Sequence, residues 1–350
     1  MLSEKLVDTQ KVLDYNKPFD PKVLQLYNHW LSSSVAFLIK SLEKLVKQYD
    51  FLNFKLSKIR TTDHKILKYI VREPAAQAWL NALNHYFLYG FLKDIDEKEI
   101  PLDLNFIDYI IEQINDQSLV TSFSCNIDLN LNKYWLRVFF GTSILFENDK
   151  ITEDAKEIIS QSFKIIEQYN PALLNEIYLL CPSIQFIQDP SAHPDKIVSF
   201  SDNLIPGCIY VSVRTSQGFL CPYDLADSII HEHRHQKLYL FEYFHPVTDK
   251  NNLKVPSLWR EELRPVSGLF HAVYVFQNLL DYWLYISQYT ANAEIKNKAS
   301  RNVQLSQERL TQAHQTLKNC KLTDYGNALL TEFQETLYRT LSIEGENIVL

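Results

Sequence analysis

The sequence predicts a mainly α-helical fold with a small β-sheet, which places the chain in the α+β class. Its 350 residues include only 7 glycines and 13 prolines, which favours long helices over a turn-rich all-β fold. Apolar residues recur at helical spacings through much of the N-terminal half. Short segments rich in β-branched residues follow Pro182 and predict the strands of a small sheet.

The N-terminal half is predicted to be largely helical. Apolar residues at three-, four- and seven-residue spacings within 21–52 indicate an amphipathic helix, and they are Leu24, Leu31, Val35, Leu38, Leu42 and Leu45. Further helices are predicted at 75–92, 104–114 and 151–169. In contrast, alternating apolar residues from Tyr134 to Phe140 predict a strand within 126–146.

The C-terminal half begins with strands and ends with helices. Short strands are predicted at 184–187, 197–200 and 207–213, with a turn around 216–218. A helix follows at 223–243, because Pro222 fits a first helical turn and acidic residues favour the positive helix end. Pro265 opens a second helix that runs through Trp283, and one or two more are expected within 294–342. We expect a division into a mostly helical region, 1–180, which is a candidate for substrate recognition, and a catalytic region, 181–350.

Composition excludes several classes of protein. The net charge of −7 gives no general attraction to nucleic acid or to an anionic membrane. The N-terminal residues lack a signal-peptide pattern, and no apolar stretch is long enough to span a membrane. The cysteines are scattered singly, which argues against a disulfide framework, and they are Cys125, Cys181, Cys208, Cys221 and Cys320. We therefore expect a cytoplasmic protein with reduced thiols.

The most informative motif is His231-Glu232-His233-Arg234-His235, an HExxH pattern within the helix predicted at 223–243. Residues four apart lie one turn apart on one helix face, so His231 and His235 can both bind a single metal ion. Glu232 can touch a water molecule or a ligand beside that ion. The preceding strand and turn give the expected context. The alternative is a polar surface helix that matches the pattern by chance.

A catalytic metal site usually takes a third protein ligand. His271 is our choice, since it lies on the helix predicted after Pro265, 36 residues beyond His235 (271 − 235). Glu262 is the best carboxylate competitor, and His245 and Glu261 are weaker candidates. A buried structural role for His271 is the alternative to ligation.

Arginines form the third group of candidates. Arg260 and Arg264 bracket two glutamates, and a guanidinium can grip a carboxylate through two parallel hydrogen bonds. Arg214, at the end of the strand before the motif helix, is another candidate carboxylate binder. A local salt-bridge cluster with Glu261 and Glu262 is the competing interpretation.

Three segments in order resemble a known family. They are the HExxH motif, then Trp259-Arg-Glu-Glu-Leu-Arg-Pro265, then Gly268-Leu-Phe-His-Ala-Val-Tyr-Val-Phe276. Together they are similar to the HExxH-motif domain found with peptide-modifying gene clusters, whose members are α-ketoglutarate-dependent HExxH-type peptide β-hydroxylases. Leu263 and Ala272 depart from the family pattern, which usually has proline and glycine there. The resemblance covers about a quarter of the chain at most and leaves the N-terminal half unassigned.

This resemblance implies a non-haem Fe(II) enzyme that uses α-ketoglutarate and O₂ to hydroxylate a β-carbon of a ribosomally made peptide. His231, His235 and His271 would bind the iron, and Arg260, Arg264 or Arg214 would bind the co-substrate. The fold expected is a zincin-like strand and HExxH helix with additional N- and C-terminal helices. A zinc metallopeptidase, with Glu232 as the catalytic general base, remains the main alternative, and a catalytically silent scaffold that keeps the fold is a third. Histidine ligands suit iron and zinc equally, so the residues leave the metal open.

Overall fold

The computed structural model describes residues 20–116, 127–249 and 253–347, with side chains up to residue 338. Cys125, one of the five scattered cysteines, lies outside these ranges. The chain forms two compact units. The described residues of the sheet unit lie within Leu24–Ile165 and Ala172–Gln236, and those of the hairpin unit lie within Met1–Val23, Ile166–Pro171 and Lys237–Leu350. The division proposed at residue 180 stays a prediction about function.

The N-terminal half is helical, as predicted, and its described helices are α1 (Pro21–Leu45), α2 (Asn53–Thr61), α3 (His64–Val71), α4 (Pro74–Tyr89), α5 (Phe106–Asn115), α6 (Asp149–Asp154), α7 (Lys156–Tyr169) and α8 (Pro171–Leu180). Five of the six apolar residues that predicted α1 are buried and Leu24 is half-buried, which explains why the periodicity identified the helix. The helix predicted at 151–169 is divided at Ala155 into α6 and α7.

The small sheet contains β1 (Asp128–Leu129), β2 (Leu145–Phe146), β3 (Ser183–Gln188), β4 (Ser199–Ser201) and β5 (Cys208–Val211). The strand order is β1-β3-β5-β4, and β2 pairs with β3. Strand β3 runs parallel to β5, whereas β4 runs antiparallel to β5. Each residue of β5 is buried, as is typical of a central strand. The strands predicted after Pro182 are confirmed.

The strand predicted from the alternation between Tyr134 and Phe140 is wrong. These residues form two short 3₁₀ turns, Tyr134–Leu136 and Val138–Phe140. The side chains that are buried come in adjacent pairs, Trp135 with Leu136 and Phe139 with Phe140, which is a helical rather than a strand period. The polar side chain of Arg137 holds the turns, since it donates hydrogen bonds to Asn130 and Gln185.

A tight hairpin of β6 (Arg214–Thr215) and β7 (Gly218–Phe219) leads into the motif helix α9 (Pro222–Phe244). The helix predicted at 223–243 is therefore confirmed. It is continuous, and its residues up to Gln236 belong to the sheet unit, while those from Lys237 belong to the hairpin unit.

The hairpin unit contains β8 (Lys254–Ser257), β9 (Arg260–Pro265), α10 (Val266–Tyr289), α11 (Ala293–Lys318) and α12 (Asp324–Asn347). The helices predicted after Pro265 and within 294–342 are confirmed, but the hairpin was not predicted. Trp259, at the turn between the strands, stacks on Phe276 of α10 with ring centroids 4.7 Å apart. This contact packs the hairpin against that helix.

The fold is therefore mainly helical with small sheets, and the α+β class is confirmed. In the parts of the chain that the structure describes, no helix combines the length and the apolar character needed to cross a membrane.

Candidate functional site

Helix α9 is attached to the sheet by the residue that follows the HExxH motif. Gln236 accepts a hydrogen bond of 3.0 Å from the backbone N–H of Gly207 and donates one of 3.2 Å to the carbonyl of Cys208. Gly207 has a φ of +87°, which residues other than glycine rarely adopt. This backbone turn lets the amide of Gly207 meet Gln236, and the contact fixes how the helix is rotated against strand β5.

One narrow side of α9 is accessible within an otherwise buried stretch. From Leu225 to Phe241, the residues that keep partial exposure are Asp227, His231, His235 and Tyr239, and Glu242 follows one turn later. Their spacings of 4, 4, 4 and 3 residues match the helical repeat, so they form one row along the helix. We call this row the polar stripe of α9. Because every other side chain from Leu225 to Phe241 is buried, this polar row is the accessible part of that stretch of the helix.

His231 and His235 lie side by side on this stripe. Their ring centroids are 5.1 Å apart and the rings are tilted by 56°. Burial lowers the pKa of His231 to about 4, so its imidazole is neutral at pH 7, which is the form that binds metals. The two rings thus provide two adjacent nitrogen donors. Across the described residues, no group of three or more His, Cys, Asp or Glu side chains is assembled closely enough to hold a metal ion.

Glu232 does not share the accessible side of the helix. Its side chain is 1% exposed, and its Oε1 accepts a hydrogen bond of 2.6 Å from the Ser199 hydroxyl on β4. Burial raises the pKa of Glu232 to about 7, although the nearby hydroxyls of Ser199 and Ser201 lower it. Its Oε1 also lies 3.8 Å from His231 Nε2. The carboxyl group is therefore held beside the first histidine, at a pKa suited to proton transfer near neutral pH.

The two middle residues of the motif have structural contacts. His233 Nε2 lies 3.2 Å from Glu176 Oε1 on α8, and both side chains are fully buried. Arg234 Nη1 lies 3.8 Å from the same carboxylate oxygen. His233 therefore points into the interior and its partner is a carboxylate, which accounts for its absence from the polar stripe.

The predicted third ligand, His271, is on α10 in the hairpin unit, and only 10% of its side chain is exposed. Its Nε2 lies 2.7 Å from Glu242 Oε2, and its ring centroid lies 5.0 Å from that of Tyr239. Both neighbours belong to the polar stripe. His271 thus contacts the part of the stripe that follows the HExxH motif. Its role as a metal ligand stays a prediction.

Arg260 and Arg264 are close together on β9. Burial and the positive charge of Arg260 lower the pKa of Arg264, while nearby Tyr239 raises it. Ser257 pairs with Arg260, and Val255 pairs with Arg264. Four residues of β9 therefore span the length of two residues of β8, so β9 contains a bulge. No carboxylate among the described residues forms an ion pair with either arginine, and Glu261 and Glu262 are exposed. The local salt-bridge cluster considered above is therefore not formed in the described structure.

Arg264 also lies next to the helix that carries His271. A Cβ atom added to Gly268 would lie 3.8 Å from the Nε of Arg264. Gly268 precedes His271 by three residues, so the two positions lie on the same side of α10. Tyr239 contacts the ring of His271 and is close enough to influence Arg264. In the hairpin unit, Tyr239 thus lies near both His271, the predicted metal ligand, and Arg264, the predicted carboxylate binder.

The remaining candidates have different surroundings. Arg214 binds the nearly buried carboxylate of Glu147 through two contacts, Nε to Oε1 at 2.6 Å and Nη2 to Oε2 at 2.9 Å. Gln188 donates to the same carboxylate at 2.6 Å. Arg214 thus already has a carboxylate partner, and its role towards a co-substrate stays a prediction. His245 stacks near Tyr325, with ring centroids 5.3 Å apart.

Three residues of the site were missed in the sequence. Tyr239 and Glu242 continue the spacing of His231 and His235, so extending the helical repeat by two turns would have found them. Ser199 gave no signal, because its contact with Glu232 joins residues 33 positions apart.

A comparison of the sequence with protein-family models gives no match, and a comparison with curated proteins finds no similar relative.

Proposed function

We propose that this protein is a non-haem iron, α-ketoglutarate-dependent hydroxylase that modifies a side-chain β-carbon of a ribosomally made peptide. The observation that carries the proposal is the pair Arg260 and Arg264, which lie close together with no carboxylate partner among the described residues. Two neighbouring guanidinium groups repel each other in the absence of an anion. A co-substrate with two carboxylates supplies the missing negative charge.

The histidines of the chain supply suitable ligands for the metal. His231 and His235 offer adjacent nitrogens, and the low pKa of His231 keeps it in the ligating form. His271 is the third ligand in this proposal, and Glu262 is its alternative. Iron, when bound, would supply the redox chemistry that couples O₂ to carbon hydroxylation, and three protein ligands leave positions for the co-substrate.

The other residues bind and orient. Arg264 holds a carboxylate of α-ketoglutarate, and Arg260 adds positive charge beside it. Glu232, fixed by Ser199, fills the space beside His231 and carries no essential proton in this reaction. The peptide substrate comes from the same cytoplasm in which we expect the enzyme to work, and region 1–180 contributes to its recognition.

The test is incubation of the purified protein with Fe(II), α-ketoglutarate and O₂, with and without a candidate peptide encoded beside its gene. The expected result is oxygen-dependent succinate and a peptide gain of about 16 Da, the mass of one oxygen atom.

Metal content is measured in parallel. A variant with both His231→Ala and His235→Ala should lose stoichiometric metal but retain its helical circular dichroism, whereas Glu308→Gln, an exposed change on α11, should alter neither. Full metal occupancy in the double variant would contradict the assignment of the ligands.

A zinc metallopeptidase is the second candidate, and the raised pKa of Glu232 favours it. A carboxyl with a pKa of about 7 suits a general base that takes a proton from water. For a peptidase, Glu232→Gln should lower the rate of peptide cleavage by about 10²-fold or more. For the hydroxylase, the same variant should keep its metal and most of its succinate formation. Cleavage by the zinc-loaded protein that is lost in Glu232→Gln and indifferent to α-ketoglutarate would overturn our first choice.

A further inference from the structure

We propose that Glu242 is a positioning residue for His271, and that it sets which nitrogen of this imidazole can bind a metal. Glu242 is the last member of the polar stripe of α9, and its Oε2 lies 2.7 Å from His271 Nε2. Both residues lie in the hairpin unit. The inference rests on the proposed function for the role of His271 as a ligand, but the contact itself does not depend on it.

The first step concerns the proton. An ionised carboxylate only accepts hydrogen bonds, so the nitrogen that faces it must carry hydrogen. A neutral imidazole has one N–H, and the contact with Glu242 places it on Nε2. The lone pair then belongs to Nδ1. Glu242 therefore places on Nδ1 of His271 the lone pair through which this imidazole would bind a metal.

The second step concerns the orientation of the ring. Tyr239 lies one turn before Glu242 on α9, and its ring is 5.0 Å from that of His271 at an angle of 43°. The carboxylate fixes one edge of the imidazole and the tyrosine packs against the ring. A histidine held at two points loses little further freedom when it binds a metal, which is the reason carboxylate partners of ligating histidines strengthen metal binding.

The third step separates this pair from the buried histidine–glutamate pair formed by His233 and Glu176. His233 and Glu176 are both fully buried and 3.2 Å apart, so a metal ion has no route to that imidazole. In the pair His271–Glu242, 10% and 22% of the side chains are exposed. The accessible pair is the one suited to serve a ligand.

The experiment uses the full chain with its ten histidines labelled with ¹⁵N. Long-range ¹H–¹⁵N spectra of the metal-free protein distinguish a protonated Nε2 from a protonated Nδ1, and a His271→Asn variant assigns the signal. We expect the Nε2–H form in the wild type. In Glu242→Gln, whose amide can also donate, we expect a mixture of both forms. Glu308→Gln is the matched control on an exposed helix face and should leave the signal unchanged.

Zinc binding, measured by competition with a chelating dye, gives the second readout. Glu242→Gln should weaken zinc binding about 10–100-fold, with unchanged thermal stability. Two results would overturn the inference: an Nδ1–H form in the wild type, or a zinc affinity that Glu242→Gln leaves intact while His271→Asn reduces it. A separate outcome concerns the proposed function, which fails if the double variant His231→Ala, His235→Ala keeps its zinc. Loss of zinc in that variant with no effect of Glu242→Gln would refute only the positioning role.

Discussion

The charged residues around the middle of helix α9 differ from those of the hairpin β8–β9. In the first region, Glu176 faces both His233 and Arg234, and all three side chains are buried. In the second, Arg260 and Arg264 lie close together without an ion pair to any described carboxylate. Burying an uncompensated charge is costly, so a protein interior requires such pairing. An accessible strand does not require such pairing, and its unpaired arginines are suited to bind an anion from outside the protein.

Arg214 shows that the difference does not follow from residue type. Like Arg264 it lies on a short strand of a hairpin and is partly exposed, yet it binds Glu147 through two contacts. An arginine that binds a carboxylate of the same chain stabilises the fold, whereas an arginine beside another arginine is suited to bind an anionic ligand. The partners of a side chain, rather than its type, indicate which role it has.

The largest effect is expected at Glu176. Glu176→Ala leaves His233 and Arg234 buried without their carboxylate, and the loss of one partner of a buried pair costs about 3–5 kcal/mol. We therefore expect the free energy of unfolding to fall by that amount in urea or guanidinium titrations. In the hairpin, Glu261→Ala should change it by less than about 0.5 kcal/mol, because this exposed side chain forms no ion pair. Equal losses in the two variants would show that the regions do not differ as described.

A second prediction concerns His314 on α11, a buried side chain whose two ring nitrogens have no hydrogen-bond partner among the described residues. Burial, together with the charge of Lys318, lowers the pKa of His314 to about 4 from 6.5. As the pH falls below 6.5, the unfolded chain binds a proton that the folded protein binds only near pH 4. The free energy of unfolding should therefore fall by about 2 kcal/mol between pH 7 and pH 5 on account of this residue.

His314→Leu is the test of that prediction, since leucine has a similar size and no proton to bind. The variant should be at least as stable as the wild type at pH 7, and its loss of stability between pH 7 and pH 5 should be about 2 kcal/mol smaller. An unchanged pH dependence in this variant would mean that His314 finds a polar partner in solution. The result would also show whether the hairpin unit tolerates an unpaired ionisable group in its interior.

The fold elements that the sequence predicted well are those in which burial follows a regular period. Helices α9 and α10 have clear proline starts, so both bounds of α9 and the start of α10 agree within about one residue with the prediction, whereas α10 ends six residues beyond Trp283, at Tyr289. The hairpin was missed because Arg260-Glu-Glu-Leu-Arg264 has no alternation of apolar and polar residues, and its bulge removes the strand period. Residues 134–140 misled in the opposite way, since an apparent alternation belongs to turns held by Arg137.

The candidate site was predictable to the extent that it lies within one helix. Helical spacing placed His231 beside His235, and the structure places their rings 5.1 Å apart. The contact between Glu232 and Ser199 depends on how strand β4 pairs with β5, which no local pattern encodes. The same holds for Glu147, the partner of Arg214, which is 67 residues away in the chain. Contacts distant in sequence decide which charges are paired, and they require the three-dimensional structure.

The smallest effect is expected from single arginine replacements, and it tests the comparison directly. Lysine keeps the positive charge but has no planar fork, so it holds a carboxylate less well than arginine does. If the hairpin binds the co-substrate, Arg264→Lys should raise the apparent KM for α-ketoglutarate by about tenfold, equivalent to about 1.4 kcal/mol. Arg260→Lys should raise it less, because Arg260 is more exposed.

The matched control is Arg214→Lys, which breaks the two-point contact with Glu147 and should lower stability while leaving this KM unchanged. Succinate formation measured at several co-substrate concentrations gives each KM, and chemical unfolding gives each stability. The comparison fails if both hairpin variants have the KM of the wild type, or if Arg214→Lys shows the larger rise. In the latter case the salt bridge to Glu147 would have to open when the co-substrate binds, and pairing in the metal-free protein would not distinguish structural arginines from functional ones.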